Sequence, residues 1–294
     1  MSATGLASSG AWLTPGHVSR ARRWPAGPPS AEFSVRSNGA VIEAISAARR
    51  PGATLRVAAT AALMLGLAAY YAFSESFREL SLWGDTAFIA LVLMPAVFAL
   101  VYIALPLRLV RGLVLLALIL GAFAAVLEAV DLEALASFAK LGAMTMLAFW
   151  FLGYFERLSW VALVAALIPF IDSLSVWRGP TRHIVTEQRE IFTTLSFAFP
   201  VPGENASANL GLPDLLFFAL FLAATVRWRL RVNWTWAAMV LSLGATIALA
   251  VLWDVGGLPA LPGIAIAFLA VNADLIWRDL RSPCEDLGDA PLST

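Results

Sequence analysis

The sequence predicts an all-α protein, a polytopic bundle of eight transmembrane helices, and three observations lead there. First, 60% of the 294 residues are hydrophobic and only 14% are charged, against roughly 45–50% and about 25% in a soluble domain. A soluble core of that size would still need a charged shell, and the mean hydropathy of +0.79 leaves no material for one. Second, the apolar residues fall in continuous runs close to the ~20 residues that a helix needs to cross a bilayer. They do not alternate as a membrane β-strand would. Third, nine of the eleven Trp lie at or near run ends (83, 150, 160, 177, 228, 234, 236, 253 and 277), as an interfacial aromatic belt requires. The lipid bilayer is thus the first expected partner. A net charge of zero argues against nucleic acid. The single cysteine, Cys284, excludes a disulfide framework and a multi-cysteine metal site.

Residues 1–52 stand apart in composition. Pro15, Gly16, Pro25, Gly27, Pro28 and Pro29 are mixed with Arg20, Arg22, Arg23, Arg36, Arg49 and Arg50, the make-up of a basic, disordered tail. No apolar run there matches a signal-peptide core, and Val41–Ala48 offers only a weak amphipathic pattern. Apolar runs then occupy about 55–74, 86–106, 109–130, 135–154, 159–177, 211–228, 234–253 and 261–277. The first four make an expected N-terminal membrane subdomain, 53–157, and the rest a second, catalytic one, 158–280, before a short tail, 281–294.

Alternating the loops across a bilayer collects fifteen basic residues on one side: seven Arg up to Arg56, then Arg108, Arg111, Arg157, Arg227, Arg229, Arg231, Arg278 and Arg281. The other side has five, Arg78, Lys140, Arg178, Arg182 and Arg189. The positive-inside rule then predicts that both termini are cytoplasmic.

Ionisable residues inside membrane spans are expensive and by default candidates for function. Of the twenty carboxylates, the sequence puts two inside: Asp172, in ALIPFIDSLSVW, and Asp214, in GLPDLLFFALFLAATVRW. The chain leaves one membrane face after Trp177 and re-enters at Gly211, so both aspartates lie toward that face on consecutive antiparallel spans. Two carboxyl groups that face each other in a low dielectric share a proton, which supplies a general base and a general acid in one pair. The same pair suits a proton relay in a transporter. Asp214 also has a plainer role, since an acidic residue just after Pro213 favours the first turn of a helix.

A third feature falls on the same face. Asp254, Gly256, Gly257, Leu258, Pro259, Ala260, Leu261, Pro262 and Gly263 open the last span, and the two prolines break the helix and free backbone groups there. Within a membrane such backbone is tolerated only under protein or in a water-filled cavity. The plainer alternative is a turn followed by a proline-started helix.

Together these residues resemble the presenilin and signal-peptide-peptidase family of intramembrane aspartyl proteases, in its archaeal and bacterial branch. That family carries Tyr-Asp on one span, Gly-x-Gly-Asp on the next and Pro-Ala-Leu at the last. Here the three are Ile171-Asp172, followed by Ser-Val-Trp and Thr-Arg-His; Gly211-Leu212-Pro213-Asp214; and Pro259-Ala260-Leu261, continued by Pro262. The resemblance covers about 160–278 and departs at Ile171, which lacks the tyrosine hydroxyl, and at Pro213, which stands for the second glycine. It also counts four spans before the first aspartate where the family usually has five. It implies a presenilin-like fold, with eight spans here where the family usually has nine, and water activated by Asp172 and Asp214. Gly211, Leu212, Pro213, Pro259, Ala260 and Leu261 would shape the site. No cofactor is implied, and the expected partner is a transmembrane-helix substrate or remnant signal peptide. A catalytically inert, helix-binding relative would carry the same motifs.

The connection 178–210 is long for a plain turn. Its apolar stretch Phe192–Val201 (FTTLSFAFPV) suits an extended segment whose edge could pair with an unwound substrate, or an interfacial loop with no such role. His183 reads as interfacial, and with His17 the only other histidine a histidine-ligated metal is not expected. Asp274 stands four residues before Arg278, a helix-surface pair spacing.

Overall fold

A computed structural model describes residues 51–178, 196–204, 206–253 and 258–281, with side chains from 57 onward and without those of 173–178. The tail, the short Val41–Ala48 pattern, His17, His183, Asp254 and Cys284 lie outside the described residues. From Leu55 onward the chain belongs to one compact unit.

The chain is mostly helical. Helix α1 (Pro51–Phe73) is followed by α2 (Leu82–Phe88) and α3 (Met94–Ala104), joined into one rod by a π-helical turn at Ile89–Leu93. Then come α4 (Leu113–Ala129), α5 (Glu133–Phe151) and α6 (Leu158–Arg178). A hairpin of β1 (Ser196–Pro200) and β2 (Ser207–Gly211) leads into α7 (Leu212–Arg227), α8 (Val232–Leu252) and α9 (Leu261–Arg281). Five helical segments are long and apolar enough to cross a membrane: Val57–Ser76, Leu82–Leu109, Glu133–Tyr154, Val232–Leu252 and Leu261–Arg281. Such segments make this a membrane protein. Leu113–Ala129 and Leu158–Asp172 are shorter apolar helices.

The bundle is built around α7. Its residues from Phe218 to Thr225 are all fully buried, because LPDLLFFALFLAATVR is apolar around its whole circumference and such a helix belongs inside. It packs on α5, α6, α8 and α9. Phe221 stacks on Phe268 of α9, with centroids 4.8 Å apart and planes 14° apart. Phe218 meets Phe98 of α3 at 4.1 Å. At the far end Thr225 Oγ1 donates to Leu222 O, and Leu230 N donates to Thr225 O, which turns the chain into α8. Gly244 of α8 lies against the π-helical turn so closely that a Cβ there would stand 3.0 Å from the Cβ of Ala90. Of the run-end tryptophans, Trp83, Trp150, Trp160, Trp234, Trp253 and Trp277 are exposed, whereas Trp228 and Trp236 are half-buried against the core.

Three expectations need correction. Lys140, counted among the loop charges, sits inside α5 and is buried. Pro262 does not break the last helix, since α9 starts at Leu261 with Ile264 N donating to Ala260 O at 3.2 Å; a proline in the first turn has no intrahelical N–H to lose. The expected extended stretch 192–201 is a strand over 196–200 alone, and it has a second strand that the sequence reading did not anticipate. In β1, Phe197 and Phe199 alternate inward and are fully buried. In β2, Ser207 and Asn209 are exposed.

Because Phe221 is stacked at the centre, Phe221→Ala should cost about 3–5 kcal/mol. Thermal unfolding of the detergent-solubilised protein should show it as a clear fall in Tm.

Candidate functional site

Gly211 ends β2 and caps α7. Its φ of −62° and ψ of 145° are extended, after which Leu212 and Pro213 begin the helix and Asp214 occupies its third position. Pro213 suits that first turn. From the third position a carboxylate stands close to the N-cap amide, the placement of one half of a capping box. A Cβ on Gly211 would lie only 3.3 Å from Asp214 Oδ2. A side chain at 211 would therefore push the carboxylate by a few tenths of an ångström, and the negative φ shows that no left-handed turn is involved.

Asp172 lies near the end of α6, three residues after Pro169. It is half-buried, while Ile171 is 64% exposed; a 100° step on the helix turns one inward and the other outward. Helix α6, which carries Asp172 near its end, touches α7, which carries Asp214 in its first turn. Helix α9 packs along α6 and against α7. Since α7, α8 and α9 are joined by short connections, the start of α9 lies at the same end as Asp172 and Asp214. There Ala260 is buried, and Pro259 and Leu261 are half-buried. Leu212 is half-buried and Pro213 exposed. The three motif segments are thus brought to one end of the bundle.

Two polar groups at depth escaped the sequence reading. Asp85 lies on α2, just outside the span drawn there from 86, yet it is 6% exposed, and its Oδ1 has no hydrogen-bond partner among the described residues. A hydropathy window hides a carboxylate that stands at its edge. Lys140 is paired with Glu128 Oε1 at 3.1 Å and reaches Ser196 O at 3.5 Å. Its signal was available: it is the one lysine beside nineteen arginines. Asp274 is structural as its spacing suggested, but through Arg231, whose guanidinium donates to both carboxylate oxygens at 2.8 and 2.9 Å. Asn272, fully buried beside it, accepts from Arg231 N at 3.1 Å and donates to Thr235 Oγ1 at 2.8 Å. That network binds the start of α8 to α9 at the end opposite the aspartates.

No protein-family model matches the chain, and no curated protein matches it.

Burying a carboxyl with an unmet oxygen is unfavourable. Asp85→Asn should therefore leave the fold intact and raise stability by about 1 kcal/mol, read as a higher Tm in the same detergent. A fall of that size would mean that Asp85 has a partner in the membrane-embedded protein.

Proposed function

We propose that the protein is an intramembrane aspartic endopeptidase of the presenilin and signal-peptide-peptidase type, cutting transmembrane helices or remnant signal peptides. The observation that carries this reading is the juxtaposition of Asp172 and Asp214 at one end of a buried helix. One carboxylate takes a proton from water as its oxygen attacks the scissile carbonyl carbon, and the other, protonated, donates to the carbonyl oxygen. Collapse of the resulting gem-diol breaks the C–N bond, with the proton passing from the pair to the leaving amine. Gly211, Leu212 and Pro213 shape the approach from the strand side, and Pro259, Ala260 and Leu261 from the start of α9. In this reading the eight apolar runs are the spans, and the excess of arginines on one side puts both termini in the cytoplasm. In that arrangement α7, with 16 residues, is about 24 Å long against a hydrocarbon layer of roughly 30 Å. Its short length supports a position for Asp214 below the membrane surface.

The hairpin supports a way of holding the substrate. An intramembrane protease must unwind a helix before cutting it, and the extended segment then needs partners for its peptide groups. Among the described residues, strand β2 is paired only with β1, and it runs directly into Gly211 and Asp214. Pairing of the substrate along its outer edge would deliver a peptide bond to the carboxyl pair. The docking edge is therefore assigned to β2, whereas the sequence reading had placed it in the 192–201 segment that holds β1.

The test is cleavage of a model transmembrane peptide by the detergent-purified protein, beside Asp172→Asn and Asp214→Asn. Cutting by wild type and a fall to background in both variants is the expected result. Wild-type protein that is folded and cuts none of several peptides would turn the reading toward a proton-coupled carrier or an inert helix-binding relative. Within an active enzyme, Gly211→Ala should lower kcat by at least about tenfold, because a methyl group 3.3 Å from Oδ2 displaces the carboxylate.

A further inference from the structure

The hairpin is held along one edge by side chains that the carboxyl pair does not use. Val201 N donates to Ala206 O at 2.9 Å, which with the strand register sets the phase of the ladder. Residues 197, 199 and 201 bond across to the second strand, so 196, 198 and 200 turn their peptide groups away from it. Each of those three carbonyls meets a side-chain donor. Lys140 Nζ reaches Ser196 O at 3.5 Å, Tyr71 Oη donates to Ala198 O at 2.7 Å, and Tyr70 Oη donates to Pro200 O at 2.7 Å. Carbonyls two residues apart on a strand are about 7 Å apart. The rings of Tyr70 and Tyr71, edge to face at 6.0 Å, match that spacing. The turn is anchored as well. Gly203 N donates to Ser74 O at 2.8 Å, and Gly203, at φ +75°, presses so closely on residues 77–79 that a Cβ would lie 2.6 Å from Glu79 N.

Helix α1 supplies two of these donors and is otherwise poorly suited to building a core. Val57, Met64, Leu65 and Phe73 are exposed, and Leu67 is its one buried apolar residue among those described. Its inner end grips the strand. Lys140 comes from the other flank, on α5, with its charge met by Glu128.

We propose that Tyr70, Tyr71 and Lys140 are positioning residues that keep the hairpin pre-formed with its β1 edge closed, so that an extended substrate segment docks on β2. Docking then proceeds in one orientation, and the template is already ordered. The substrate half of this statement rests on the protease reading above; the closed, rigid edge does not.

The test is hydrogen exchange read by mass spectrometry on the full-length protein in detergent, comparing wild type with Tyr70→Phe/Tyr71→Phe. That variant keeps both rings and removes only the hydroxyl donors. Peptides covering 196–211 should exchange roughly tenfold faster or more, while those of α8 and α9 stay unchanged. With a cleavable peptide, KM should rise several-fold and kcat stay within about twofold, because docking and not bond breaking is altered. Unchanged exchange in the hairpin overturns the proposal. So does equal acceleration in every helix, since the hydroxyls would then stabilise the bundle as a whole. Failure of wild type to cut any peptide overturns the protease reading alone, and the exchange comparison still decides whether the edge is held.

Discussion

A helix enclosed on every side has only its ends free for chemistry, and the rest of this structure follows from enclosing α7. From Phe218 to Thr225 it presents no exposed surface, so α5, α6, α8 and α9 are arranged around it. Its two ends are where it meets an opening, at Pro213 in the first turn and at Arg227 in the last. Asp214 occupies the first turn. Among the described residues, the strand that precedes the helix, the end of α6 and the start of α9 lie around it.

The link between strand and helix is short, and Gly211 serves both. As the last residue of β2 it turns its N–H away from β1, and as the N-cap of α7 it lies against the Asp214 carboxylate. The two roles are compatible because the phase of the hairpin ladder decides the direction of the amide. The same phase turns the alternate carbonyls of β1 toward Tyr70, Tyr71 and Lys140. One hydrogen-bond register therefore orients both the closed edge of the hairpin and the cap of the carboxylate.

Much of this was legible in the chain. Continuous apolar runs, tryptophans at their ends and a circumference of α7 without a polar stripe depend on composition and short-range pattern, and they agree with the helices observed. Asp172 and Asp214 stood out because each is a carboxylate within an apolar run, although Asp214 also suits the first turn of its helix. Asp85 did not, because its neighbours Gly84 and Thr86 dilute the hydropathy of its window. Lys140 was misread as a loop charge because its partners, Glu128 and the carbonyl of Ser196, are 12 and 56 residues away. The spacing of Asp274 and Arg278 suggested a pair on one helix. Arg231 instead takes Asp274 with a bidentate geometry that no i, i+4 rule addresses.

By itself the sequence determined that the chain is a helical membrane protein, where its apolar helices run, and that two aspartates lie toward one face on successive helices. Those properties are set by transfer free energies and by the reach of a helix, which act on neighbouring residues. Only the tertiary structure decided which helix is central, that a second strand pairs with the first, and that one edge of the hairpin is closed by two tyrosines and a lysine. Hydrogen bonds between β1 and α1 join residues 127 and 130 positions apart. Partners at that distance are chosen by how whole helices pack, and no local pattern carries that choice.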